Sequence, residues 1–332
     1  MVWPPAPALS DRLGSGPQRR TLRLSRPLDL RLSLRPLRHG PRDPSTQLDG
    51  DRLWRATRTP AGPATELVSL DRRDGSVTAT AWGPGAEWLL DALPDLVGEG
   101  DDLPGWTALA GGTPTRRPPG WEVVAELARR HPGLRIPRTR AVYEASIPSI
   151  LEQKVTGIEA TRSYRELLGG LGEPAPGPVR PDGRRLLLPP PPRVLAGQPS
   201  WALHRYGISR RRAETLRRAG SAARRLEEAT AMAPPDAARR LQAVPGLGPW
   251  TAAEVALVAL GDADAVGVGD FHFPHQVAWK LAGLPRGDDT LMLELLEPWR
   301  GHRGRVIRLL MAEGVTAPKF GPKQPLRSFR GY

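Results

Sequence analysis

LQAVPGLGPWTAAEVALVALGDADAVGVGD, residues 241–270, decides how the rest of this 332-residue chain is to be read. An Ala/Arg-rich amphipathic stretch, Pro235 to Ala243, runs into Val244-Pro245-Gly246-Leu247-Gly248, and an uninterrupted helical run extends from Pro249 to Leu260. A tight turn between two helices needs residues free to take positive φ, and both Gly246 and Gly248 are expected to do so. Pro249 suits the first turn of the second helix. With no side chain on either glycine, a phosphate can approach the backbone N–H groups that open that helix, where the helix dipole also favours an anion. Short glycine turns between helices are common, so the hairpin alone leaves an ordinary linker open.

The segment beyond the second helix narrows the choice. Past a glycine-rich turn (Gly261, Gly267, Gly269), and twenty residues after Trp250, stands Asp270, directly before Phe271-His272-Phe273-Pro274-His275. An aspartate ahead of an apolar run is a common helix cap. It is also a carboxylate delivered close to a phosphate grip. ILEQKVT (150–156), ALHRYGISRRRAETLRRAGSAA (202–223), VPGLGPWTA (244–252), VGVGDFHF (266–273) and EPWRGHRG (297–304) accompany it in that order. Over roughly residues 130–315 these segments resemble the helix-hairpin-helix superfamily of base-excision DNA glycosylases, most closely the 3-methyladenine DNA glycosylase II type.

The resemblance implies a fold, a chemistry and a set of site residues. Val244, Gly246, Leu247 and Gly248 would hold a DNA phosphate, and Asp270 would be the catalytic carboxylate. Breaking an N-glycosidic bond builds oxocarbenium character on the sugar, which a nearby carboxylate stabilises, or else it orients the attacking water. In relatives that also cut the strand, a lysine stands two residues beyond the second glycine of the hairpin; here that residue is Trp250. The lysines of this chain are Lys154, Lys280, Lys319 and Lys323, so none stands there, and a monofunctional enzyme is expected. A lyase reaction through Lys154 is the departure to test. A base must leave the duplex before it can be cut, and the turn after the ILxQ helix, Gln153, Lys154 and Val155, maps to the wedge that fills the gap. Trp250 is the expected stacking wall of the base pocket, with Phe271 and His272 as further walls. Glu254 and Leu310 stand where alkylation-repair relatives often carry aromatics. The resemblance makes an alkylated purine the default substrate, and because Glu254 and Leu310 reshape the pocket, hypoxanthine or another altered purine comes next. A helix-hairpin-helix protein that senses lesions without catalysis is the alternative.

Composition agrees with a polyanionic partner, here double-stranded DNA. Lys plus Arg number 48 against 35 Asp plus Glu, a net charge of +13 carried almost wholly by arginine. Arg210-Arg211-Arg212, Arg217-Arg218 and Arg224-Arg225 stud one expected helix, and Arg300, His302, Arg303 and Arg305 precede another, some of them as a solvated face. Cysteine is absent, which excludes disulfides, a thiol nucleophile and a thiolate-held zinc or iron–sulfur cluster. The histidines show no zinc spacing, so no metal site is expected; His272 and His275 read as packing or DNA contact. The family resemblance leaves room for a monovalent cation on hairpin carbonyls. No run of eighteen apolar residues occurs, and MVWPPAPALSDRLG lacks the charged start and apolar core of a signal peptide, so a cytoplasmic, bacterial, nucleoid-associated protein is expected. One protein per lesion needs no symmetry, and a monomer is expected.

The chain reads as an α+β N-terminal domain, an antiparallel sheet with helices, followed by a mostly helical helix-hairpin-helix domain. Residues 1–20, rich in Pro, Gly and Arg, read as disordered. TLRLSRPLDLRLSL (21–34), RLWRATRT (52–59), ATELVSLDRR (64–73) and SVTATAWG (76–83) alternate apolar with polar residues, and Asp74-Gly75 marks a hairpin turn. Residues 21–118 are taken as this domain, a platform without chemistry of its own, with its boundary at Pro118-Pro119. Glu87 to Leu96 and Trp121 to Arg130 read as helices beside the sheet, and about eight short amphipathic helices are expected from Pro132 onward within the helical domain, residues 119–315. Within them, residues 172–199 hold too many prolines for helix or strand and are expected as an extended surface loop. Residues 316–332 read as a basic tail.

Overall fold

The computed structural model describes residues 16–112, 117–314 and 317–318. Five antiparallel strands form the first layer: β1 (Gln18–Arg23), β2 (Thr46–Asp49), β3 (Arg52–Thr59), β4 (Gly62–Asp71) and β5 (Ser76–Trp82), in the order β1-β5-β4-β3-β2. The alternation seen in the sequence becomes the two faces of this sheet. Val77, Ala79 and Ala81 of β5 point inward, and Val77 pairs with Leu22 of β1 and Leu70 of β4. The Asp74-Gly75 turn forms, with Gly75 at φ 68° and the Asp74 carboxylate accepting from the Ser76 N–H. Short helices α1 (Leu30–Leu34), α2 (Ala86–Asp91) and α3 (Leu93–Leu96) cover the inner face and close the first core. β1 begins at Gln18, inside the stretch expected to be disordered. The expectation for residues 1–15, and nearly all of that for the basic tail, lies outside the described residues.

The remaining helices are α4 (Leu103–Gly111), α5 (Trp121–Arg130), α6 (Val142–Leu151), α7 (Gly157–Leu171), α8 (Pro192–Gly197), α9 (Arg210–Ser221), α10 (Ala223–Glu227), α11 (Pro234–Gln242), α12 (Pro249–Val255), α13 (Phe273–Ala282), α14 (Asp289–Leu296) and α15 (Arg303–Ala312). Helix α12 runs on as a π-type turn, Ala256–Leu260. Helices α6 to α12 share a second core around Ile147, Ile150 and Leu216. A third core joins Leu103, Trp106, Val124 and Leu127 to Val277, Met292, Trp299 and Leu310.

This third core moves the expected boundary. Helix α4 precedes Pro118-Pro119, yet it packs with α5 and with α13 to α15 rather than on the sheet. A short amphipathic helix buries its apolar stripe against whichever face adjoins it, and paired prolines mark only the turn.

The 172–199 segment is also more ordered than its prolines suggest. Strands β6 (Glu173–Pro174) and β7 (Leu187–Leu188) pair, and Leu186 and Leu188 pack with Ala175 over Ala56 and Trp54 of β3. Pro192 opens α8, a position where a missing N–H costs nothing, and Leu195 enters the second core. The segment therefore ties the sheet to the helices.

Helix α6 passes through the centre of the molecule with Val142, Tyr143, Ser146, Ile147 and Ile150 buried. Its own N-cap residue, Ala141, has no capping side chain, and the Glu227 carboxylate of α10 accepts from the Val142 and Tyr143 N–H groups instead. No helix among the described residues is long and apolar enough to cross a membrane.

Candidate active site

The hairpin forms between α11 and α12. Gly246 takes φ 102°, and a Cβ there would lie 2.3 Å from Thr215 Oγ1, so glycine is required both for backbone conformation and for space against α9. Gly248 differs from expectation: it is extended at φ −78° and serves as the N-cap of α12, with open space around its Cα. Its glycine is thus not demanded by the fold, whereas an approaching group would benefit from it. Val244 and Leu247 are buried anchors in the second core, so only their backbone can face a phosphate. No side chain of the N-cap residue, Gly248, caps α12, and Pro249 at its first position brings no N–H to satisfy. Of the hairpin carbonyls, that of Val244 accepts from the Leu247 N–H and that of Gly246 from Gln153 Nε2.

Asp270 stands two residues ahead of His272, the N-cap of α13, and its capping reading is borne out. Its Oδ1 accepts from the backbone N–H groups of His272 (2.6 Å) and Phe273 (2.8 Å), which caps the helix. Its Oδ2 accepts from the indole Nε1 of Trp250 at 2.9 Å, which joins the carboxylate to the helix behind the hairpin. The residue remains only half-buried. The loop that carries it is braced at several points. Asp289, at the start of α14, accepts from the Gly269 N–H (3.0 Å) with its carboxylate, and Asp264 accepts from Arg303 and from the Gly301 N–H. Gly304 opens α15 so close to this loop that a Cβ would lie 2.4 Å from the Ala265 carbonyl oxygen.

The segment between α6 and α7 is held from both sides. Glu152 faces His39 of the sheet domain at 3.7 Å, and Gln153 Nε2 donates to Gly246 O and to Thr251 Oγ1, each at 2.9 Å. Gln153 is thus a brace to the hairpin rather than a free wedge. Lys154, exposed at the tip, is held at φ 55°, a conformation uncommon for a residue with a Cβ, and Val155 follows half-buried. A capping box between Thr156 and Glu159 then starts α7.

Beside these elements lies a cavity of about 470 Å³ between the sheet domain and the helices. Glu254, Gly267 and Phe273 line it together with Ile307, Arg308 and Met311 of α15; Arg38 and His39 of the sheet domain line it too. The sheet domain, expected as a platform alone, therefore supplies a wall. Trp250 adjoins the lining: a Cβ on Gly267 would lie 3.0 Å from Trp250 Cδ1 and 3.2 Å from Glu254 Oε1. Leu310 does not line the cavity. It is 1% exposed within the third core, because α15 turns Ile307, Arg308 and Met311 to the cavity instead. Phe271 (78% exposed) and His272 lie outside the lining, with Phe273 in the wall.

Two charged groups in this cavity are perturbed. Burial pushes the Glu254 carboxyl up to about 8; the nearby negative charges of Glu152 and Asp270 add to this, and Arg308 opposes it. Burial lowers the Arg308 guanidinium to about 10, helped by Arg305. Arg308 Nη2 donates to the carbonyls of Leu32 and Ser33, whereas Nη1 has no hydrogen-bond partner among the described residues. Sequence reasoning missed Arg308, Asp289 and His39. Arg308 sits in an arginine-rich helix where no spacing marks it, and Asp289 beside Asp288 reads as an ordinary cap.

Several arginines counted toward the basic face have internal work. Arg212 is buried and donates to the carbonyls of Leu151 and Gly207, fixing the end of α6. Arg305 is fully buried against Asp101 and stacked near Trp106, and His302 is buried as well. Arg211, Arg218, Arg224 and Arg225 remain exposed. Lys280 donates to the Leu310 carbonyl, away from the hairpin.

No protein-family model and no curated protein sequence matches the chain. Solved structures do. A 3-methyladenine DNA glycosylase from Archaeoglobus fulgidus is similar over 88% of this chain and 97% of its own, with a TM-score of 0.71 and 17% identity. An 8-oxoguanine glycosylase/lyase from Clostridium acetobutylicum, in its apo form, is similar over 91% of this chain and 99% of its own, with a TM-score of 0.66 and 12% identity. The same Clostridium enzyme in complex with DNA containing cytosine opposite 8-oxoguanine has a TM-score of 0.63 at 12% identity, over 92% of this chain and 99% of its own. At these identities the shared property is architecture, and in architecture the chain has the fold of the helix-hairpin-helix DNA glycosylases.

Proposed function

We propose that the protein is a monofunctional DNA glycosylase that flips a damaged purine from duplex DNA into the cavity and hydrolyses its N-glycosidic bond, leaving an abasic site. The observation that carries this reading is the placement of Asp270: a half-exposed carboxylate tied by Trp250 to the helix behind the phosphate hairpin and set beside a cavity large enough for a ligand. The hairpin would hold a backbone phosphate through the N–H groups at the start of α12. Lys154, strained at the loop tip, would enter the gap left by the flipped nucleotide.

All three partners of Asp270 are N–H donors, so they orient its oxygens without delivering an acid. A carboxylate held this way stabilises developing positive charge on the sugar and orients water. Trp250 occupies the place where strand-cutting relatives carry lysine, so the abasic product is not cleaved at this site. The arginine in the cavity weighs against bases that are already cationic, which moves the favoured substrate from alkylated purines toward uncharged altered purines such as hypoxanthine.

The test incubates purified protein with methylated genomic DNA and with inosine- and uracil-containing duplexes, identifying freed bases by mass. Release of a base by the wild type and not by Asp270→Asn, with duplex affinity retained, supports the enzyme. DNA binding with no base released from any duplex would make it a lesion-binding protein. A covalent adduct trapped by borohydride would reveal lyase chemistry and overturn the monofunctional assignment.

A further inference from the structure

We propose that Glu254 and Arg308 form a two-donor reader for an uncharged 6-oxopurine, meeting its carbonyl oxygen and the ring nitrogen beside it. The inference rests on the glycosylase reading and names its substrate class.

Both residues line the same cavity from different helices, and no ion pair joins them, although each feels the other's charge. Arg308 is anchored by Nη2 on the last turn of α1, while Nη1 is buried without a partner among the described residues. A buried N–H left unpaired favours any occupant that brings an acceptor. The Glu254 carboxyl makes no hydrogen bond with the described residues, and its environment is set by Glu152 at the end of α6, Asp270 before α13 and Arg308 on α15. Raised to about 8, it carries its proton at neutral pH and offers an O–H donor. Two donors carried by residues that line one cavity call for two acceptors once a small side-chain shift brings the covered Nη1 to an occupant, and the O6/N7 edge of an oxopurine presents them side by side. A purine methylated at N7 loses one acceptor and sets a positive charge against Arg308, which a protonated Glu254 does not neutralise. Discrimination against guanine itself is left to the cost of flipping, which is smaller for a mispaired base.

The experiment measures equilibrium binding of the full chain carrying Asp270→Asn to duplexes with one hypoxanthine, one 7-methyl-2′-fluoroguanine, or no lesion at the same position. Hypoxanthine should bind about tenfold or more tighter than the cationic base, because a site built to donate rejects an occupant that cannot accept. Adding Glu254→Leu should shrink that ratio to about twofold or less, and Glu254→Gln, whose amide still donates, should preserve it. With Glu254 in place the ratio should fall as pH rises, and it should do so below about 8 because the Asp270→Asn chain lacks one of the negative charges that raise Glu254, whereas in the Glu254→Gln variant the fall should be absent. Tighter binding of the cationic base, or an unchanged ratio in a Glu254→Leu variant of unaltered Tm, overturns the proposal. Base release by the wild type is scored separately. Asp270-dependent release with the wrong ranking sinks only this inference, and the expected ranking with no release sinks only the catalytic reading.

Discussion

Asp270 and Glu254 are both carboxylic acids beside one cavity, and their surroundings assign them opposite work. Three N–H donors converge on Asp270, two from the backbone of α13 and one from Trp250, and part of the side chain stays open to solvent. Glu254 receives no donor from the described residues and is raised to about 8 by burial, with the negative charges of Glu152 and Asp270 adding to the shift. One acid is held by donors as an acceptor and the other becomes a donor. Neighbouring groups, rather than residue type, separate the two roles.

The comparison is broken most severely at Asp270. Asp270→Asn keeps an oxygen for the His272 and Phe273 N–H groups but turns an amide toward the Trp250 N–H. Base release should fall roughly 100- to 1000-fold, as when an electrostatic stabiliser is removed, while duplex affinity measured by anisotropy changes little. A fall in affinity matching the fall in rate would show that Asp270 serves the fold.

The two hairpin glycines give the next contrast. Gly246→Ala meets Thr215 and a positive φ, so it should cost roughly 1–3 kcal/mol in denaturant unfolding as well as DNA affinity. Gly248→Ala meets neither obstacle and should leave the unfolding midpoint unchanged while weakening DNA binding. Equal stability losses in both variants would remove the distinction between a glycine the fold needs and one a phosphate needs.

Lys154 offers a smaller effect. Glycine accepts φ 55° without a Cβ penalty, so Lys154→Gly should leave stability equal or slightly raised. Its release of a base from a fully paired duplex should drop more than release from a mispaired one, because the wedge matters most where flipping is hardest. Equal drops on both duplexes would argue against the wedge.

The least dramatic test concerns Glu254 and pH. Its folded value lies above the ordinary 4.5, so the folded protein keeps the neutral acid where the unfolded chain prefers the ionised one. The stability associated with the neutral form is complete below about pH 4.5 and is lost as pH climbs through about 8. Glu254→Gln cannot ionise. Its Tm should match the wild type near pH 4 and exceed it by a growing margin toward pH 8; a constant margin would place Glu254 in a solvated setting.

Residues close in sequence were legible because local chemistry decides them. The glycine hairpin, the Pro249 helix start, the Asp74-Gly75 turn and the period-two strands follow from backbone sterics and from alternation between two faces. Asp270 was singled out by its distance from the hairpin together with the resemblance of the surrounding segments, and its bond to Trp250 appeared only in the structure. The surroundings of these residues were settled only in three dimensions. Which face of α15 meets the cavity sent Leu310 to the core and Arg308 to the wall; the packing of α4 onto α13 to α15 crossed a boundary that paired prolines had marked; and Arg212 and Arg305 became internal struts. Burial and hydrogen-bond partners are properties of neighbours distant in the chain. A sequence can therefore present a carboxylate or a guanidinium, but the pairing that makes one a donor, one an acceptor and one a strut exists only after the helices have packed.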